Sequence, residues 1–576
     1  MILHKHGQRM YIYPTMQDQS SRTLHTVIFL TALALTAALY SYTIFSNFCM
    51  DQDTLNYVTS LEPLKGKLTF LNCIGIKGWF AKFHLFMFSL VYLITKAYSF
   101  WGGLDYLIGF KICTLICALL TILLLFFICK TTMSRFSIMM VTSFMPIYVL
   151  GYSWLITTCD DNPLANFFNL LFLTCLLIAT GAIAQAKCEK HCYRWAFLTG
   201  LAAGLSMASH LKNIVALPVI LALVVVKPPS VRSRLRIAAA GILGLVLTFG
   251  LMYCLYWIQS TGEPVSSKLD FWVFHRVPGR FYLTPPRCPL KDQLTLAFVG
   301  IRSSLYTFQE LIINTNLFDR DILGHLIVAL FFAIYFASVF KMWKSRAVKI
   351  LFALFLCDAG HSFLYDSWVV ERWDSFTLPV FITIGIYWDS VMQGQRGART
   401  PLQRMRFSAL MLLFFGTLVW SNIRNTWLLI GITSNRIPYL PSAVPWPYAN
   451  KFYFYFDQRG FYDLAKRMDG FFDEGAWFLS PNFMQGPRAH VYGILDQYLT
   501  LYSKNYRNRL IENPNIIGEL VNQGRLKRIL YLDTVKVPFY IGTAKTRIIF
   551  DPAMTKIVYE NSQIVLKEAR FQPPGR

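Results

Sequence analysis

The sequence predicts a mainly α, polytopic membrane protein with about eleven transmembrane helices, interfacial helices in its first outer loop, and a small extracytoplasmic α/β domain at its C-terminus. Three observations predict this. Hydrophobic residues make up 55% of the 576 residues and charged residues only 15%, against about a quarter charged in soluble domains. Mean hydropathy is +0.42, and several apolar runs reach the roughly 20 residues that a helix needs to cross a bilayer. Lys and Arg collect in short loops between these runs, and beyond residue 425 the composition shifts towards Tyr, Asn, Arg and Pro.

The apolar segments fall at 24–45, 104–129, 134–156, 163–185, 196–209, 212–226, 236–258, 322–342, 347–367, 375–391 and 407–425. The first follows a basic, polar stretch and lacks a small-residue cleavage site, so it is expected to remain as an anchor. Basic loops at 130–135, 187–194, 227–236, 341–349 and 396–406 belong on the cytoplasmic side together with the N-terminus. That parity is consistent for eleven spans in a cytoplasmic (inner) membrane, and places 46–103, 259–321 and 426–576 outside. Residues 82–101 would break the parity as a further span. They carry Lys82, His84, Lys96 and many aromatics, and are expected as a helix lying in the outer leaflet. The short segments 196–209 and 212–226 should form a hairpin turning near His210, Leu211, Lys212 and Asn213. Two domains are expected, 1–425 in the membrane and 426–576 outside it. In the outer one, 462–472 reads as a helix and 529–532 and 547–550 as short strands.

A net charge of +24 does not imply a nucleic-acid partner here, because much of it sits in loops where it sets orientation and meets anionic membrane lipids. Of twelve cysteines, most lie within apolar spans (Cys113, Cys117, Cys129, Cys175, Cys254 and Cys357) and behave as small hydrophobes. Cys49 and Cys73 flank the first polar loop and can pair in an oxidising compartment. The stretch Cys188-Glu189-Lys190-His191-Cys192 offers metal-ligating residue types in one cluster only, and reads as a solvated loop. Asp358 and His361, one turn apart in the ninth span, read as an internal structural pair.

Carboxylates beside the hydrocarbon layer are disfavoured unless they face water, a partner or a substrate. Two such pairs stand out. Asp51 and Asp53 follow the first span, and Asp160 and Asp161 precede the fourth. The predicted topology puts both pairs on the outer surface, together with Glu371 and Arg372 between the ninth and tenth spans.

The order of these features resembles the GT-C superfamily of membrane glycosyltransferases, with a layout similar to lipid A aminoarabinose transferases and protein O-mannosyltransferases. Asp53-Thr54-Leu55-Asn56-Tyr57 resembles the Asp-x-x-x-Tyr of the first outer loop. Lys82-Phe83-His84-Leu85-Phe86 stands where such enzymes often have a His-Pro-Pro-Leu-Tyr or Lys-Pro-Pro-Leu-Tyr stretch, here without the prolines. Asp160-Asp161-Asn162-Pro163-Leu164 is similar to the second acidic motif. Gly200-Leu201-Ala202-Ala203-Gly204-Leu205, running on to Lys212 and Pro218, resembles a Gly-Leu-Ala-x-Gly-Leu pattern followed by Lys. Glu371-Arg372-Trp373, ahead of Leu378-Pro379, resembles the Arg-Tyr region near the donor phosphate.

The resemblance implies transfer of a sugar from a polyprenyl-phosphate donor to a lipid, glycan or protein acceptor. It implies Asp53 as the catalytic carboxylate, with Asp160 or Asp161 orienting the acceptor or holding a metal. Lys212 and Arg372 are the expected phosphate ligands, with Asp51, Tyr57, His84 and Glu371 as auxiliary residues. A divalent cation is the candidate cofactor, with His84 a candidate ligand. Each residue also has a plainer reading. Asp160 and Asp161 before Pro163 make a good helix N-cap, Lys212 can snorkel at a hairpin turn, and Glu371–Arg372 can be a helix-end ion pair. Two other classes remain: a secondary transporter, which should show internal repeats and helices broken at the midplane, and a non-catalytic assembly or binding protein.

Overall fold

The computed structural model describes residues 16–46, 52–61, 73, 85–102, 105–148, 162–183, 189–210, 213, 217–220, 231–259, 321–366, 377–394, 400–433, 458–480, 484–485, 490–536, 543–546 and 550–571. Its helices are α1 (Met16–Ser46), α2 (Gln52–Leu61), α3 (Met87–Gly102), α4 (Tyr106–Thr132), α5 (Phe136–Tyr148), α6 (Asn162–Ala179), α7 (Glu189–Ser209), α8 (Val231–Leu245) and α9 (Leu251–Gln259). There follow α10 (Asp321–Met342), α11 (Arg346–Asp366), α12 (Thr377–Met392) and α13 (Pro401–Thr433). Helices thus occupy ten of the eleven expected apolar segments, and 212–226 is described only at Asn213 and 217–220. Among the described residues, five helical stretches are long and apolar enough to cross a membrane: Thr23–Phe45, Tyr106–Thr132, Asn162–Ala179, Val231–Gln259 and Pro401–Val419. Large apolar side chains on them, including Leu35, Ile242, Leu251, Leu410 and Leu413, are exposed. An apolar surface of this kind needs a lipid environment, and the protein is a membrane protein.

Local chemistry explains where the helices begin, bend and meet. Asp105 caps α4, its carboxylate accepting from Leu107 N at 2.9 Å and Ile108 N at 3.1 Å. The start of α5 is capped from another helix: Asp389 of α12 accepts from Ser134 N at 2.9 Å, Arg135 N at 3.0 Å and Gln393 Nε2 at 2.5 Å. Between α8 and α9 the chain widens into a π turn, Val246–Gly250. There Thr248 Oγ1 donates to the Gly244 carbonyl at 3.0 Å and lies 3.3 Å from the Leu201 carbonyl of α7, a side-chain intrusion of the kind that loosens the i→i−4 ladder. Helices α7 and α8 approach backbone to backbone. A Cβ on Gly200 would collide with the Gly241 carbonyl, and one on Gly204 with Thr248 Oγ1. The Gly200–Gly204 motif is therefore a small-xxx-small packing seam.

Two expectations shift. The Cys188–Cys192 stretch was expected as a loop, yet α7 already begins at Glu189. Helix α7 thus extends beyond the apolar run at 196–209, and it packs on both α6 and α8. Cys73 has a free, buried thiol, which burial pushes up to about 12; Cys49 lies outside the described residues.

The C-terminal region folds as α14 (Arg459–Asp473), α15 (His490–Tyr502) and α16 (Ile517–Asn522) around a seven-stranded mixed sheet. Its strands are β1 (Trp477–Leu479), β2 (Met484–Gln485), β3 (Leu510–Ile511), β4 (Arg528–Lys536), β5 (Thr543–Thr546), β6 (Thr555–Glu560) and β7 (Ile564–Arg570). β1 pairs in parallel with both β3 and β4, and α15 and α16 supply the crossovers that parallel pairing demands. β4 is the hub. It is antiparallel to β5 and to β7, with a register shift between Leu532 and Thr534. The expected strand at 529–532 lies within β4 and the expected helix at 462–472 within α14. Residues 547–549 lie outside the described residues, and the strand seen nearby is β5 at Thr543–Thr546. In β4, alternate residues serve different cores. Ile529 and Tyr531 pack with Leu479 and Leu526, while Leu530 and Leu532 join α14 and α15.

Candidate active site

The core that takes in Leu530 and Leu532 runs without a break into the membrane helices. It joins Phe461, Leu464 and Tyr498 of the C-terminal domain to Leu55, Tyr57, Val58 and Leu61 of α2, and on to Phe88, Phe110 and Phe168. Helix α2 packs on α15 on one side and on α4 on the other. A separate cluster holds the opposite ends of the helices, including Leu125, Ile128, Leu176, Val348 and Leu351. The site predicted from sequence therefore has its α2 portion at the end of the bundle that meets the C-terminal domain.

Asp53 lies in the first turn of α2. Tyr57, one turn later on the same face, is buried at 3% exposure. Its ring stacks on Phe110 of α4 with centroids 6.3 Å apart and meets Phe88 of α3 edge-on at 5.9 Å. Tyr57 thus fixes the seat of α2 on the bundle. The other predicted residues, Asp51, His84, Asp160, Asp161, Lys212, Glu371 and Arg372, lie outside the described residues. Their described neighbours can be followed instead.

Two residues after His84, Phe86 N donates to the Ala208 carbonyl at 2.8 Å, in the last turn of α7, and its ring meets Phe168 of α6 edge-on at 5.5 Å. Immediately after Asp161, Asn162 opens α6 and is buried. Immediately after Lys212, Asn213 donates from Nδ2 to the Ala165 carbonyl of α6 at 3.0 Å and lies 3.2 Å from the Ser206 carbonyl of α7. So the chain neighbours of His84, Asp161 and Lys212 meet where α6 begins and α7 ends, and α4, which packs along α6, carries the seat of α2. The flank of Glu371 and Arg372 is different. Leu378 of α12 belongs to the second core cluster.

Sequence reasoning missed a line of buried polar groups at this end. Lys111 and Thr114 of α4, Asn162, Asn166 and Asn169 of α6, and Ser206 of α7 are all buried. The spacing Asn162, Asn166, Asn169 puts three amides on one helix face, a signal readable inside an otherwise apolar run. Ser206 Oγ and Asn169 Oδ1 are buried with no hydrogen-bond partner among the described residues. Ser206 also lines a narrow crevice with Phe172, Ala203, Met207, Asn213 and Leu217. Such groups make the interior locally polar, where a charged headgroup can be met by fixed dipoles. Among the described residues there is no group of three or more His, Cys, Asp or Glu able to hold a metal ion; His84 lies outside them.

No family model matches the chain, and no curated protein matches it by sequence. Solved structures do match. ArnT from Cupriavidus metallidurans bound to undecaprenyl phosphate superposes with a TM-score of 0.56 at 10% identity, covering 96% of this chain and 99% of that one. The apo state of the same enzyme gives 0.54 at 10% identity, covering 95% and 98%. The oligosaccharyltransferase AglB from Archaeoglobus fulgidus, in complex with an inhibitory peptide and a dolichol-phosphate, gives 0.47 at 12% identity, covering 88% and 69%. ArnT is a membrane glycosyltransferase of the GT-C fold. The chain has that fold along nearly its whole length, transmembrane helices and C-terminal domain together.

Proposed function

We propose that the protein transfers a sugar from a polyprenyl-phosphate donor to a lipid, glycan or protein acceptor at the outer face of a cytoplasmic membrane. The observation that carries this reading is the meeting of four predicted segments at one end of the bundle: α2 with Asp53 sits on α4, and the neighbours of His84, Asp161 and Lys212 join α6 and α7. The end-to-end likeness to ArnT, whose structure holds undecaprenyl phosphate, supports the same reading.

In this reading the acceptor hydroxyl attacks the anomeric carbon as the bond from that carbon to the phosphate oxygen breaks. Asp53 takes the hydroxyl proton. Asp160 or Asp161 orients the acceptor, and Asp51, Tyr57 and Glu371 support the carboxylates and the seat of α2. Lys212 and Arg372 offset the charge that develops on the leaving polyprenyl phosphate. A divalent cation near His84 would supply the same kind of charge compensation. The N-terminus and basic loops face the cytoplasm, and the C-terminal domain, 426–576, stands outside over the acceptor side.

The test is reconstitution of the full chain in liposomes with a panel of labelled polyprenyl-phosphate sugars and a membrane extract as acceptor source. The reading expects label to leave the donor pool with release of polyprenyl phosphate. No transfer from any member of the panel would refute it.

A further inference from the structure

Helix α2 is ten residues long, and its side chains Thr54, Leu55, Tyr57, Val58 and Leu61 are each at most 3% exposed. These residues divide between two faces. Tyr57 and Leu61, one turn apart, stand with Thr54 on the side where Tyr57 meets Phe110 and Phe88. Leu55 and Val58 share another face, and Leu55 sits about 160° around the helix from Tyr57, at roughly 100° per residue. A buried leucine turned away from the bundle needs an apolar cover. Among the described elements, none packs on α2 more broadly than α15 of the C-terminal domain. Leu55 and Val58 fall in one core with Ile494, Leu495, Tyr498 and Leu499 of α15.

Helix α15 is itself tied into its domain. The Tyr498 hydroxyl donates to Gln458 Oε1 at 3.0 Å, and its ring meets Tyr462 of α14 edge-on at 6.3 Å. Just past the end of α15, Ser503 Oγ and Lys504 N donate to the Asp469 carboxylate of α14 at 2.6 and 3.1 Å. Leu530 and Leu532 of β4 belong to the same core. The body that bears on α2 from this side is therefore a folded domain, braced through α14 and the sheet.

We propose that the C-terminal domain forms the second half of the seat of α2. Helix α15 bears on Leu55 and Val58 and so fixes the helix that carries Asp53, which makes Leu55 a positioning residue. The packing stands whether or not Asp53 is the base; only its catalytic meaning rests on that reading.

Amide hydrogen exchange on the full-length protein tests it. Tyr498→Ala opens a cavity where α15 is anchored, and Leu526→Ala opens one in the separate core on the other face of the sheet. The expected result in Tyr498→Ala is exchange across residues 52–61 faster by roughly tenfold or more, with 106–132 unchanged. Leu526→Ala should leave 52–61 at the wild-type rate. If Tyr498→Ala does not fold, Tyr498→Phe, which loses only the bond to Gln458, takes its place with a smaller shift in the same direction. Wild-type exchange at 52–61 in the Tyr498 variant, or equal acceleration by Leu526→Ala, would overturn the proposal. Where transfer is measurable, Leu55→Ala should lower kcat by about 10- to 100-fold with little change in KM, and Leu55→Met should recover most of the rate. Faster exchange at 52–61 in Leu55→Ala together with a wild-type kcat would uphold the seat and overturn the reading of Asp53 as base.

Discussion

Tyr57 stacks on Phe110, the two rings 6.3 Å apart and 20° from parallel. That contact sets the register of α2, the helix that carries Asp53, against the membrane bundle. Phe88 closes the other side of the ring at 86°. Replacing Tyr57 by Ala removes a buried ring and should cost roughly 3 kcal/mol of stability. Transfer activity should fall with it, because α2 loses its seat. Tyr57→Phe keeps the ring and should cost much less. Thermal unfolding and activity of the two variants, measured side by side, check this; equal losses would show that the ring stack is not what matters.

The seam between α7 and α8 makes a second prediction. Gly200 and Gly204 face Gly241 and Thr248 too closely for any Cβ. Gly204→Leu should separate the helices and destabilise the protein by roughly 2 kcal/mol or more. Gly416 of α13 has no neighbour within 4 Å of its would-be Cβ, so Gly416→Ala should be neutral or slightly stabilising through helix propensity. Thermal midpoints of the two variants in the same detergent decide between a packing role and a general intolerance of larger residues.

Asp389 should prove structural. It is buried at 2% exposure and satisfies two backbone N–H groups at the start of α5. Asp389→Ala leaves both donors without an acceptor and should cost roughly 2–4 kcal/mol. Asp389→Asn, which keeps one carbonyl acceptor, should cost less. An Asp389→Ala variant as stable as wild type would contradict the cap.

Much of this was legible in the sequence, for definite reasons. Long apolar runs and basic loops located the helices, since lipid forces every backbone group into a helix. The strand at 529–532 declared itself as a short run apolar on both faces, Ile529 and Tyr531 on one and Leu530 and Leu532 on the other. Less legible was the role of Gly200–Gly204, where the same residues read as a functional pattern and act as a packing seam. The beginning of α7 at Glu189 was hidden by the polar stretch that precedes its apolar run. Lys111 escaped notice because one charge in a long apolar run barely changes its hydropathy. Its meaning depends on which helices surround α4, and no local pattern encodes that.

The C-terminal domain has its own pH signature. Glu568, fully buried on β7, is clasped by Arg528 at 2.9 and 3.1 Å and by Arg570. Burial pushes its carboxyl up, but the hydrogen bonds and charges of Arg528 and Arg570 outweigh that and hold it below the ordinary value. A lowered folded-state value stabilises the fold above the ordinary carboxylate range of about 4.5, and this contribution is lost as pH falls through the folded value. Acid titration followed by amide hydrogen exchange in β4 and β7 should show wild type losing stability below that range. Glu568→Gln should be weaker at neutral pH and show a flatter acid dependence. Parallel curves would contradict the assignment.

The central claim is that Asp53 performs the proton transfer of a glycosyl transfer from polyprenyl phosphate. Its most direct measurement is release of polyprenyl phosphate from a labelled polyprenyl-phosphate sugar by reconstituted wild type and Asp53→Asn, with equal folding shown by equal thermal midpoints or by matched protease resistance. The account predicts release by wild type and a loss of about 100-fold or more in Asp53→Asn. Equal release by the two proteins would contradict it.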